Sequence, residues 1–381
     1  MPAVNILIKP ASSACNMGCK YCFYRDVAAN REDAFAGMLS LDTMERIIRA
    51  GMEYAEGICS FAFQGGEPTL AGLDFYRSVV SLERKYARPG IEIRNALQTN
   101  GILMDDDWAA FLAENHFLVG LSLDGPAQLH DENRLDLCGR GTFNRVTRAA
   151  RLLEKHGAEY NILCVVTGRN ARSIEKIYRF YRQKGFRWLQ FIPCLEPLGL
   201  ARGTSAYALS VSAYGDYLIR IFDLWLEDLR QGTYVSIRHL DNWLSLLLGE
   251  PPEICSMTGH CSVQFVIEGD GGVYPCDFYV LDRWRMGTVG EEPLGRMLES
   301  AAARKFVSGS MYVPPACRDC RFGAICRNGC RRDRVMQPDG RIGRNFYCDA
   351  YRRFFSERGP ALGEAVRLIT SMRRGMWGSC R

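Results

Sequence analysis

Cys15, Cys19 and Cys22 fall within eight positions in the stretch "PASSACNMGCKYC". The C-x3-C-x2-C spacing puts three thiols on one tight loop. Structural zinc asks for four closed ligands, whereas three thiolates suit a four-iron cluster whose fourth iron stays open to an outside ligand. A zinc site completed by a distant residue, or three unrelated thiols, competes with that reading on spacing alone. Eight more cysteines come late in the chain as Cys255-x5-Cys261-x14-Cys276 and Cys317-x2-Cys320-x5-Cys326-x3-Cys330-x17-Cys348. They are enough for two fully ligated four-iron clusters. Paired zinc ribbons compete here too, although the usual C-x2-C-x15–20-C-x2-C spacing is absent.

Two further stretches carry polar groups of use to a site. In "QGGEP" (64–68) adjacent glycines allow close backbone approach and Glu67 adds a carboxylate, as in a tight turn or a binding loop. Asp277 directly follows Cys276, so it is tethered near the centre of any cluster site there.

The elements that must position these residues alternate. Strand-like runs at 4–9, 59–64, 91–98, 117–124, 160–167 and 188–193 are separated by helical patterns at 42–56, 73–87, 105–114, 143–156 and 173–184. The first helix takes Asp42 or Ser40 as N-cap, with Met44, Ile47, Ile48, Met52 and Ala55 on one face. Such alternation predicts a parallel sheet with right-handed crossovers, open or barrel-like. Helices follow near 212–230 and 239–248. From Cys255 the long periodic segments stop, which predicts a second unit where metal ligation replaces a hydrophobic core.

Composition excludes several classes. The net charge is +5 from 48 basic and 43 acidic residues, too mild and too dispersed for a nucleic-acid binder. The runs "CRRDR" (330–334) and "YRRFF" (351–355) read as solvated faces. No apolar stretch reaches the length of a membrane span and the start lacks the pattern of a secretory signal, so the expectation is a cytoplasmic protein without membrane contact. Sixteen cysteines in such a compartment point to metal rather than disulfides. Cys59 and Cys164, within strand patterns, are expected to be small buried hydrophobes.

With its aromatic followers in "CKYCFY", the first cysteine motif resembles the radical S-adenosylmethionine (SAM) enzymes. The resemblance implies a partial (β/α)6 barrel of TIM type, with SAM chelating the open iron and yielding a 5′-deoxyadenosyl radical. It also implies SAM contacts at Tyr21, Gln64, Gly66, Glu67, Ser122, Arg134 and Leu195. The late cysteines resemble the SPASM extension with two auxiliary [4Fe-4S] clusters, for which the family pairing is Cys255, Cys261, Cys276 and Cys330, then Cys317, Cys320, Cys326 and Cys348. Three clusters are expected in all.

The segments "LIKPASSAC", "SFAFQGGEPTLAGL", "FLVGLSLDGP", "NILCVVT" and "VYPCDFYVLDRWRMG" are together similar to the anaerobic sulfatase-maturating enzymes. That likeness implies oxidation of a sulfatase cysteine, or serine, to Cα-formylglycine, with Asp277 as proton acceptor. It implies as partners a sulfatase bearing a C/S-x-P/A-x-R motif and an electron donor such as a flavodoxin or ferredoxin. The expected divisions are a barrel at 1–235, a bridging segment at 236–254, the auxiliary-cluster domain at 255–350 and a helical tail at 351–381. The "RRDR" run and the 196–210 loop are candidates for gripping the peptide. Two rivals share these features in part: another SPASM enzyme forming thioethers, cross-links or epimers, and a zinc-stabilised interaction protein without catalysis.

Overall fold

A computed structural model describes residues 3–378, with side chains described as far as residue 372. Six strands, β1 (Val4–Ile8), β2 (Ile58–Phe63), β3 (Glu92–Thr99), β4 (Leu118–Ser122), β5 (Tyr160–Val166) and β6 (Trp188–Pro193), lie side by side in chain order and all parallel. This is the expected partial (β/α)6 barrel, and parallel pairing sends every strand's C-terminal end to the same edge.

The intervening helices include α1 (Phe23–Ala29), α2 (Leu41–Tyr54) and α3 (Leu73–Tyr86). Ser40, not Asp42, caps α2, its side chain accepting from the Thr43 N–H at 3.1 Å. The predicted apolar face of α2 is buried throughout, as are Cys59 and Cys164. Helix α1, directly after the cysteine loop, was not legible as a separate element because it spans only seven residues.

On α3, Glu83 is buried and receives a hydrogen bond from the Asn95 amide at 2.9 Å, while its other oxygen has no partner among the described residues. Burial pushes its carboxyl up to about 7. The folded chain therefore keeps a proton that an unfolded glutamate gives up near 4.5. The sign follows: stability falls as pH rises between those values, by about 3 kcal/mol at most. Denaturant midpoints at pH 5 and pH 8 should show that loss in the native chain and not in Glu83→Gln.

The cysteine-rich half departs from the expectation that metal replaces its core. Strands β8 (Val266–Ile267), β9 (Gly272–Tyr274) and β10 (Gly287–Thr288) extend the barrel sheet at its β1 edge, β8 pairing parallel with β1, and β7 (Ser236–Ile237) extends the opposite edge beside β6. Ile267, Val273, Met286, Val289, Leu294 and Met297 join the main hydrophobic core. A smaller apolar cluster joins Tyr24 and Val27 of α1 to Val266, Tyr274, Val280, Leu281, Trp284 and Phe306. Strands this short carry too few alternations to be seen in a sequence.

The helix Cys348–Gly378 lies along helices Val211–Arg230 and Arg238–Leu247, where Trp243 stacks on Phe354 at 5.0 Å and Arg358 makes a two-oxygen pair with Asp223 at 2.7 and 2.9 Å. The "YRRFF" run is thus amphipathic rather than a solvated face, with Phe354 and Phe355 buried and the two arginines exposed. Cys380, which the resemblance leaves without a role, lies outside the described residues.

Candidate active site

Residues 9–22 leave β1 at the C-terminal edge of the sheet and form the thiol loop. Backbone bonds pin it from two sides. Gly66 and Glu67 donate N–H to the carbonyls of Ser12 and Ala14 at 2.7 and 2.8 Å, and Gly18 and Lys20 donate to Leu135 and Asn133 at 2.8 and 3.0 Å. Gly66 lies so close that a Cβ there would stand 1.9 Å from the Ala14 carbonyl oxygen. Its role in the structure is to let the "QGGEP" turn press against the thiol loop.

Cys15, Cys19 and Cys22 are close enough to disfavour one another's charge. Burial pushes the Cys15 thiol up to about 12 and Cys19 to about 11, and it raises Cys22 as well. The loop itself does not make thiolates, so a bound metal must supply the positive charge that deprotonates them. That matches a donor set built for iron.

Two of the expected SAM contacts look inward. The Tyr21 hydroxyl and the Arg134 guanidinium both meet Asp124, a fully buried carboxylate in "LSLDGP" that also accepts the Val165 N–H at 2.9 Å. Arg134 lies 3.1 Å from Asp124 and its charge favours the thiolate of Cys19. Sequence reasoning missed Asp124, since nothing in a turn motif marks a carboxylate as buried. Replacing it by asparagine leaves Arg134 buried without a counter-charge, at an expected cost of about 3–5 kcal/mol. A lowered denaturant midpoint together with iron loss confined to the N-terminal site would check this.

Glu67, expected at SAM, is also held by its neighbours in the chain. Its two oxygens accept from the Thr69 N–H and hydroxyl, the Thr99 hydroxyl and the Asn100 N–H at 3.1, 2.7, 2.7 and 2.8 Å. Three of these donors converge on Oε1 and one reaches Oε2, so Glu67 clamps the turn after β2 to the end of β3 and keeps accepting capacity on Oε2. Ser122 ends β4 and Leu195 follows β6, both on the same edge as the thiol loop.

Asp277 is brought to this edge from a great distance in sequence. The Lys9 ammonium, fully buried at the end of β1, donates to its Oδ1 at 2.5 Å, and the Gln64 amide at the end of β2 donates to its Oδ2 at 2.8 Å. Gln64, expected at SAM, is engaged with Asp277 through its amide nitrogen. The Lys9 ammonium also sits 3.7 Å above the Tyr24 ring, and Phe278 meets Phe23 edge to face at 5.0 Å. The Tyr24 hydroxyl is buried and has no hydrogen-bond partner among the described residues. Lys9 and Tyr24 were not singled out by sequence.

The late cysteines fall into two neighbourhoods. Cys330 feels Cys255 and Cys261, and Cys276 feels Cys330 and Cys255. Separately, Cys317, Cys320, Cys326 and Cys348 line one cavity of about 250 Å³. Arg327, Arg334, Arg344 and Arg352 line it too, and among the described residues no carboxylate does. Thiols ringed by guanidinium groups suit an anionic metal–sulfur cluster. The "RRDR" run and the 196–210 loop hold each other: Arg332 donates to the Glu196 carbonyl at 2.8 Å and Arg202 to the Arg332 carbonyl at 2.5 Å. Asp333 and Arg334 are largely buried. The solvated-face reading of this run is overturned because its side chains serve as internal ties.

Known proteins agree with this layout. Residues 10–181 match the radical SAM superfamily and residues 255–321 the SPASM iron-sulfur cluster-binding domain. The cysteine-type anaerobic sulfatase-maturating enzyme of Clostridium perfringens (strain 13 / Type A) is 46% identical over 362 residues, 95% of this chain and 98% of that one. A serine-type enzyme of Bacteroides thetaiotaomicron is 32% identical, covering 93% and 89%. The solved structure of native anSMEcpe with bound AdoMet and Kp18Cys peptide superimposes with a TM-score of 0.93 at 44% identity over 96% of this chain and 99% of that one. Thiol loop, sheet edge, late cysteines and full-length likeness converge, and the chain belongs to the anaerobic sulfatase-maturating enzymes, a radical SAM family with a SPASM region.

Proposed function

We propose that this chain oxidises a cysteine in the C/S-x-P/A-x-R motif of a sulfatase to Cα-formylglycine in the cytoplasm, drawing electrons from a flavodoxin or ferredoxin. Cysteine is preferred to serine as substrate because three cysteine-type relatives are 46%, 45% and 43% identical, against 32% and 31% for serine-type ones. The observation that carries the reading is the grip of Lys9 and Gln64 on Asp277 at the sheet edge that also bears the three-thiol loop.

When bound, SAM at the N-terminal cluster supplies a radical able to take a hydrogen atom from the substrate Cβ, and the auxiliary clusters supply a sink for one electron. Loss of a hydrogen atom, a proton and an electron from CH2–SH leaves CH=S, which water converts to the aldehyde and hydrogen sulfide. Asp277 accepts the thiol proton. Lys9 and Gln64 each occupy one of its oxygens, which fixes the carboxylate plane and leaves further lone pairs facing the substrate. We assign Gly66, Ser122 and Leu195 to the cofactor's path along the edge, with Tyr21 and Arg134 shaping it through Asp124.

The test is to incubate anaerobically reconstituted enzyme with SAM, reductant and a peptide containing C-x-P-S-R. An aldehyde captured by hydrazide supports the reading; a thioether, cross-link or epimer in its place refutes it.

A further inference from the structure

Arg334 is 8% exposed, and among the described residues its partners are carbonyl oxygens and no carboxylate. The guanidinium donates to Ser310, Gly329, Gly259 and Asn328 at 2.8, 2.9, 3.0 and 3.1 Å. A buried charge held only by dipoles is costly unless an anion stands near it. The positions of those carbonyls say where that anion is. Gly329 precedes Cys330. The Ser310 hydroxyl accepts the Cys261 N–H at 2.8 Å, so the Ser310 and Gly259 contacts place Arg334 beside the quartet of Cys255, Cys261, Cys276 and Cys330. Arg334 also lines the cavity of Cys317, Cys320, Cys326 and Cys348.

We propose that Arg334 is a positive charge shared by the two auxiliary clusters, placed to raise the reduction potential of both and so fit them to take up the electron leaving the substrate. This rests on reading both quartets as four-iron clusters. A cluster on four thiolates is anionic in either state, and one-electron reduction adds a further negative charge. A cation fixed in a poorly solvated site therefore favours the reduced form, the more so because no carboxylate among the described residues pairs with it. Arginine stays charged at every working pH, so the bias is permanent. Arg331 is employed differently: its guanidinium lies 4.6 to 5.3 Å from the rings of Phe306, Trp284 and Tyr279, which ties it to one side alone.

Redox titration of the reconstituted full chain, followed by electron paramagnetic resonance, tests this in Arg334→Met and Arg334→Lys. Iron and acid-labile sulfide are counted first; zinc, or sulfide too scarce for three clusters in the native chain, would remove the premise rather than the inference. With clusters loaded, the methionine variant should show both auxiliary potentials shifted negative and the N-terminal one unchanged, while lysine keeps both near native. Loss of both auxiliary clusters in the methionine variant, with retention in the lysine variant, supports the shared charge equally. Unchanged potentials in a loaded methionine variant overturn the proposal, as does a shift or loss that is the same in both variants, since hydrogen-bond geometry would then be the cause.

Discussion

Asp277→Asn is expected to lower formylglycine formation by about 10²–10⁴-fold, the usual worth of a positioned general base, while 5′-deoxyadenosine continues to form from SAM. The two readouts separate because the residue sits on the SPASM side of the site. The backbone bonds that pin the cysteine segment, from Gly66 and Glu67 and to Leu135 and Asn133, do not involve the Asp277 side chain, so hydrogen-atom abstraction should proceed without it. Asparagine is nearly isosteric and can still accept from Lys9 or Gln64, but it cannot take a proton from a thiol. Parallel loss of 5′-deoxyadenosine and aldehyde would place Asp277 in cofactor binding and remove it as the proton acceptor. Product assay by mass spectrometry beside chromatographic quantitation of 5′-deoxyadenosine decides.

The second large effect is expected from one methyl group. Gly66→Ala puts a Cβ 1.9 Å from the Ala14 oxygen and 2.6 Å from its carbonyl carbon, both backbone atoms one residue before Cys15. No rotamer relieves a clash with backbone, so either the turn retreats, breaking the bonds from Gly66 and Glu67 to the thiol loop, or the loop moves. Both displace the cysteines from a geometry that a cluster requires. The variant should retain about two thirds of the native iron, corresponding to the two auxiliary clusters, and should release no 5′-deoxyadenosine. Full iron with native SAM cleavage would show that the turn yields harmlessly.

How much of this was legible beforehand depends on the range of the forces involved. Helices such as Leu41–Tyr54 announce themselves because burial of one face imposes a local period, and strands such as "YNILCVV" because burial on both faces leaves a short apolar run. The cysteine spacings are equally local. Asp277 could be picked out because it adjoins Cys276 and because the family resemblance gives that position a role, whereas nothing nearby in sequence pointed to Lys9, whose contact spans 268 positions. A lysine between an apolar strand and a proline reads as surface. Asp124 and Arg334 were hidden for the same reason: a charged letter in a turn or a basic run gives no hint of its own burial, which is decided by what folds over it. Glu67 was visible, but its clamping of the turn after β2 to the end of β3 required its four donors to be seen.

The pairing of β8 with β1 also constrains how the molecule is made. Leu7 and Ile8 find their partners at Val266 and Ile267, about 260 residues later in synthesis. At about 5–20 residues per second, this edge of the nascent sheet stays bare for roughly 15–50 s. Lys9 waits as long for Asp277. The N-terminal half thus emerges from the ribosome with an open, sticky border and an unpaired cation, and it matures only when the last third arrives to close it.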